Sequence, residues 1–107
     1  VIKLGWLFSG AKINKIDINE LKMNYLKHKN GKYFVDVRTQ SEYKQKSIPG
    51  FVNLPLQTMQ NQLNNVPKDK EIVVICQSGM RSAMACKILK KAGYEQVTNV
   101  RGGMNSW

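Results

Sequence analysis

Ile72-Val73-Val74-Ile75-Cys76-Gln77-Ser78-Gly79-Met80-Arg81-Ser82 is the stretch on which the reading of this chain turns. Its four leading apolar residues predict a strand, and the residues from Ala83 to Ala92 predict a helix, with Ala85, Leu89 and Ala92 at helical spacing. Lys90 and Lys91 suit the C-terminal end of that helix dipole, and Gly93 stops it. Between strand and helix lies a short glycine-containing loop with a cysteine at its start. Main-chain N–H groups of such a loop can converge on the sulfur, and the helix N-terminus adds positive potential at the same point. Both effects favour thiolate over thiol, and the thiolate is the nucleophile. Arg81 adds a cation five positions after Cys76. The loop is therefore suited to an anionic sulfur species or a small oxyanion.

Working outward, short apolar runs alternate with helical stretches, which predicts an α/β unit around a mainly parallel sheet. Asp17-Ile18-Asn19-Glu20 reads as a capping box for a helix that buries Leu21, Tyr25 and Leu26 and ends at Asn30-Gly31. Tyr33 to Val37 reads as a buried strand interrupted by Asp36. Thr39-Gln40-Ser41-Glu42 offers a second capping box for a helix through Lys46. Ile48-Pro49-Gly50 is a turn, Val52-Asn53-Leu54 a short strand closed by Pro55, and Met59 to Leu63 a short helix. Gln96 to Val100 is the last strand, before Arg101-Gly102-Gly103 and Trp107.

The 107 residues give room for one domain with a modest core, and a hydrophobic fraction of 42% fits a globular fold. Two cysteines do not suggest a disulfide scaffold and fit a reducing compartment, so a cytoplasmic location is expected. The formal charge of +10 comes from lysines spread along the chain, without the basic block and interleaved aromatics of a nucleic-acid groove. A basic surface of this kind suits solvation, the steering of anionic substrates, or contact with acidic partners or lipid head groups. Val1 to Phe8 is apolar apart from Lys3 but far short of the ~20 residues that span a bilayer. It reads either as the tail of an upstream anchor or as a segment packed on the domain. Membrane attachment, at the cytoplasmic face, is expected only through a segment upstream of Val1.

Several of these pieces together carry a family resemblance. They are Asp36-Val37-Arg38 with Glu42-Tyr43, Ile48 to Pro55, the loop Cys76 to Ser82, and Val100-Arg101-Gly102-Gly103 with Trp107. In this order and at these spacings the chain resembles a single-domain rhodanese-like sulfurtransferase. Residues 16–107 form the expected domain, and residues 1–15 an N-terminal extension. The resemblance implies a mostly parallel five-stranded sheet flanked by helices on both faces. It also implies that Cys76 takes a sulfane sulfur from a small anionic donor such as thiosulfate. The resulting persulfide then passes its outer sulfur to a thiophilic acceptor: cyanide, a thiol or a protein cysteine. Gln77, Ser78, Gly79, Met80, Arg81 and Ser82 would form the cradle, with Asp36 and Arg38 supporting it. No metal, organic cofactor or nucleic acid is implied.

Four residues lie between cysteine and arginine here, as Cys-x4-Arg, whereas phosphatases and arsenate reductases of the same fold read Cys-x5-Arg. The shorter loop favours a sulfur atom over a tetrahedral oxyanion and makes those activities the weaker alternative. A second alternative is a persulfide carrier or partner-docking module with little free turnover. Ser47 stands where many members of the family have a histidine before the Ile-Pro-Gly turn.

Other residues draw plainer expectations. Arg38 and Glu42 are expected to form an ion pair, and Ser82 to cap the helix or bond within the loop. Cys86 is expected as a small buried residue rather than a partner for Cys76, because it lies too far into the helix for disulfide geometry. Met80, Met84 and Met104 are expected as apolar filler, with Met80 also near substrate, and His28 as a surface residue.

Overall fold

The computed structural model describes residues 12–107. Five strands form one sheet in the order β1-β5-β4-β2-β3, with β1 Asn14–Ile16, β2 Lys32–Asp36, β3 Val52–Asn53, β4 Glu71–Ile75 and β5 Val97–Val100. Every neighbouring pair runs parallel, so the sheet is wholly rather than mostly parallel. Asn14 and Lys15, at the end of the expected extension, lie in β1; residues 1–11 fall outside the described part of the chain.

β4 is the middle strand and explains both layers. Successive side chains of a strand point to opposite faces. Ile72, Val74 and Cys76 enter one core cluster with Ala85, Cys86, Leu89, Tyr94 and Met59. Val73 and Ile75 enter the other with Ile16, Leu21, Phe34, Phe51 and Val100. All four residues of the Ile72–Ile75 run are fully buried, as a parallel strand covered on both faces requires. The helix α3, Met80–Lys91, and a 3-10 segment, Leu56–Asn65, cover the first face. The second face is covered by α1, Ile18–Glu20 running into a π turn at Leu21–Tyr25, and by Tyr43 of α2, Gln40–Gln45.

The capping box at Thr39 forms in full, with Glu42 bonding back to the Thr39 N–H. At α1 the Asp17 carboxylate accepts from the Glu20 N–H at 2.8 Å, one of the two bonds expected there. Two helices differ from expectation. α1 closes at Tyr25 instead of Asn30, because the Leu26 N–H bonds to Leu21 O in a wide turn and the residues beyond Leu26 are exposed, with no apolar face to bury. α3 starts at Met80 rather than Ala83, because Gly79 takes a left-handed conformation, φ 107°, and starts the helix directly from the cysteine loop.

Candidate active site

The chain passes from β2 outward to β3, then back across to β4 and on to β5. The sheet's order therefore reverses between β2 and β4. A crevice opens at such a point outside the carboxyl ends of the strands. Asp36 is in register with Ile75, and the Val37 N–H continues the ladder to Ile75 O at 3.0 Å. That register places Asp36-Val37-Arg38 beside Cys76-Gln77.

Cys76 is fully buried at the base of the loop. The Gly79 N–H donates to Sγ at 3.0 Å, and the Cys76 thiol donates to Ser82 Oγ at 3.3 Å. Burial by itself pushes this thiol up. Hydrogen bonds from the Ser82 hydroxyl and from the N–H groups of Ser82, Gly79 and Ser78 outweigh burial, and the net shift is downward from the ordinary thiol value. Ser82 has one hydroxyl proton, which in the thiol state goes to Asn99 Oδ1 at 2.5 Å. On ionisation that proton must turn toward the sulfur, so Asn99 and the thiolate compete for it. Asn99 Nδ2 also donates to Gly79 O at 3.4 Å, tying the last strand to the loop.

Because the thiolate is favoured in the fold, alkylation of Cys76 should speed up with pH and level off at a midpoint below that of an ordinary thiol. Ser82→Ala removes one donor and is expected to move that midpoint upward, read as alkylation rate against pH. An unmoved midpoint would assign the shift to the main-chain N–H groups alone.

Asp36 and Arg38 are both buried and paired. Arg38 Nε donates to both carboxylate oxygens at 3.0 and 3.1 Å, and Nη2 to Oδ2 at 2.7 Å. The same guanidinium reaches Lys46 O at 2.7 Å and Gln77 Oε1 at 3.3 Å. Gln77 Nε2 in turn donates to Asn105 Oδ1 at 2.7 Å. On the main chain, the N–H groups of Met104 and Asn105 bond to Cys76 O and Gln77 O, each at 2.9 Å. The cysteine loop is thus braced from β2 on one side and from the C-terminal turn on the other.

That C-terminal brace depends on Gly103. A Cβ built there would lie 2.3 Å from Cys76 O and 2.8 Å from Gln77 O, and its φ of 56° disfavours any side chain. Gly103→Ala is expected to destabilise the fold by ~2 kcal/mol through strain. By displacing the loop it should also slow reaction of the Cys76 thiolate roughly 100-fold. Thermal unfolding and the kinetics of Cys76 alkylation check the two effects separately.

Two expectations need correction. Arg38 pairs with Asp36, not with Glu42. Glu42 instead holds Arg81 through two hydrogen bonds of 2.8 and 3.0 Å, because the capping box fixes its side chain toward the loop. The Arg81 guanidinium holds the Glu42 carboxyl down at about 2, and Glu42 pushes Arg81 upward. The positive charge that Arg81 brings to the loop is therefore largely matched by a carboxylate. Ser82 takes the second of its two expected roles: Gly79 starts α3, and Ser82 accepts from the Cys76 thiol within the loop. Met80 and Met84 are exposed rather than filler, while Met104 is buried.

The remaining residues fall where their types suggest. Cys86 is fully buried, and desolvation, with the nearby Cys76 charge, pushes its thiol up to about 12. His28 is exposed. Ser78 is exposed at the loop's crest, and Gln77 and Gly79 are partly covered. Sequence reasoning missed Asn99, Asn105 and the role of Glu42. Asn99 left a signal, an amide inside a strand bounded by Val97 and Val100; Asn105 left none. Among the described residues, no group of three or more His, Cys, Asp or Glu side chains could hold a metal ion. A shallow depression of about 460 Å³ beside the loop is lined by Arg38, Glu42, Gln45, Lys46, Gln77 and Asn105 among others.

The comparisons with known proteins agree with this geometry. The family model described as the rhodanese-like domain matches residues 19–107. A sulfurtransferase of Allochromatium vinosum is 37% identical over 95 residues, which cover 89% of this chain and 88% of that protein. The crystal structure of a rhodanese-like domain protein from Staphylococcus aureus superposes with a TM-score of 0.80 at 34% identity, covering 89% of this chain and 91% of that one. A NAD-dependent persulfide reductase from A. fulgidus superposes with a TM-score of 0.71 at 30% identity. There the match covers 99% of this chain but 17% of that one, so the same unit is found both nearly alone and as a small part of a larger protein.

Proposed function

The chain belongs to the rhodanese-like domain family, and from that premise we propose that it is a sulfurtransferase working through a Cys76 persulfide. The observation that carries this reading is the sulfur's environment: Cys76 Sγ is the focus of main-chain N–H groups at the start of α3, with its thiol shifted toward ionisation. In the loading step the Cys76 thiolate attacks the outer sulfur of a donor such as thiosulfate. The donor's S–S bond breaks, and its electron pair leaves with sulfite. The same N–H groups then hold the anionic persulfide, which is electrostatic stabilisation by donors already in place. In the unloading step an acceptor thiolate, or cyanide, attacks the outer sulfur, and the electron pair returns to Cys76 Sγ as thiolate. Splitting one transfer into two displacements is covalent catalysis.

Arg81 has a smaller part in this scheme than a free cation would have. Its charge is matched by Glu42, so the cradle's attraction for an anion comes mainly from the main chain. The same pairing turns the guanidinium away from the job of gripping a phosphoryl group, which supports sulfur over phosphate as the cargo. Gln77, held between Arg38 and Asn105, would position the loop rather than touch the reacting sulfur.

Incubation with thiosulfate is expected to raise the intact mass by one sulfur atom, with the gain mapped to the peptide containing Cys76. Adding cyanide should remove it as thiocyanate. No mass gain, together with no thiocyanate, would overturn the proposal. No helix of the described residues is long and apolar enough to cross a membrane.

A further inference from the structure

The outward face of α3 carries four residues that the site just described does not use. At about 100° per residue, Met80, Met84, Lys87 and Lys91 fall within one narrow stripe. All four are exposed, Met80 at 79% and Met84 at 57%, while Ser82, Ala85, Cys86 and Leu89 face inward. Singly exposed apolar residues need no explanation. Here two large ones stand one helical turn apart, and Met80 lies within the cysteine loop itself. Methionine is the apolar residue best able to repack against a partner. Beyond the methionines the stripe turns basic, and neither Lys87 nor Lys91 joins an ion pair among the described residues.

We infer that this stripe is the docking surface for a protein that exchanges sulfur with Cys76, and that the partner presents an acidic, cysteine-bearing segment with an apolar residue beside the cysteine. The inference rests on the sulfur-transfer reading above and names the partner class for it. Two observations fix the occupant. The chain's formal charge of +10 and the lysine end of the stripe select an acidic partner. The full burial of Cys76 means that a partner's thiol must be carried in on a narrow segment, with the rest of that protein resting on neighbouring surface. The partner's thiolate attacks the outer sulfur of the Cys76 persulfide, the S–S bond breaks, and the electron pair returns to Cys76. The partner leaves as the persulfide, and no outside oxidant or reductant is required.

The test uses the full chain, loaded with thiosulfate and freed of excess donor, and three acceptors. They are a synthetic peptide with Asp, Glu and Leu around one cysteine, the same peptide with Lys in place of the acidic residues, and glutathione. Sulfur transfer is followed by mass. At low salt the acidic peptide is expected to accept about tenfold faster than the basic one, an advantage that added salt erodes. The pair Lys87→Glu with Lys91→Glu should abolish or invert that preference, and Met84→Ser should weaken it, with glutathione transfer unchanged in both. Failure to load would overturn this inference together with the functional reading. Normal loading with equal transfer to both peptides, or a preference indifferent to these substitutions, would overturn this inference alone. Binding to phosphatidylglycerol vesicles or self-association in sedimentation, lost in the same variants, would reassign the stripe and also overturn it.

Discussion

Replacing Cys76 with serine is expected to abolish sulfur loading completely while leaving the protein folded. Serine is close in size, and its hydroxyl can accept the Gly79 N–H that now points at the sulfur. The cost in stability should stay near ~1 kcal/mol. The alcohol does not ionise near neutral pH, so the same cradle then surrounds a group that cannot attack. Cys86→Ala is the matched control. Its thiol sits in the core, with desolvation pushing it up to about 12, so it lacks the charge to react. Intact mass after thiosulfate reads both variants. Sulfur gained by the Cys76→Ser chain, or lost with Cys86→Ala, would remove Cys76 from its assigned role.

Arg38→Met is expected to be the most destabilising substitution near the site. It leaves the Asp36 carboxylate buried without its guanidinium, and breaking a buried pair in this way costs about 3–5 kcal/mol. Against a total stability of roughly 5–15 kcal/mol this is a large share. The thermal midpoint should fall by roughly 15 °C or more. Adding Asp36→Asn to Arg38→Met should recover part of the loss, since it removes the stranded charge. A fall of less than ~1 kcal/mol in the single variant would mean that the pair does little for the fold. The double variant also separates support from chemistry: if it folds but loads slowly, the bond from Arg38 to Gln77 is what the loop misses.

The sheet was legible in the sequence because its signals are local. The run Ile72 to Ile75 is buried whatever surrounds it, and Thr39-Gln40-Ser41-Glu42 caps a helix with residues that lie side by side. Cys76 and its loop were legible for the same reason, since strand, loop and helix are contiguous. Pairings across the chain were not. Arg38 sits four residues before Glu42, so sequence spacing suggested one bridge, yet the backbone turn at Thr39 separates them. Asp36 is two residues from Arg38 and Arg81 is 39 from Glu42, and these are the pairs that form. Asn99 and Asn105 were missed because nothing local ties an amide in β5, or one in the last turn, to a sulfur after β4. The exposed methionines were misread because apolar type alone does not give the phase of α3, which depends on where Gly79 starts it.

The first strand also shapes how the molecule comes together and comes apart. β1 has three residues, and its partner in β5 lies 84 positions away, whereas Lys32 of β2 meets Glu71 of β4 across less than half that distance. Each doubling of a closing loop adds about 0.6 kcal/mol of entropic cost, and a short edge strand has few bonds to offset it. β1 should therefore dock late in folding and open first under native conditions, seen as early amide exchange at Arg101, whose N–H bonds to Ile16 O at 2.7 Å. Arg101 leads into the turn that braces the cysteine loop from below. Fraying at the sheet's edge should thus loosen the cysteine loop before the core gives way, which would tie the readiness of Cys76 to the least durable pairing in the sheet.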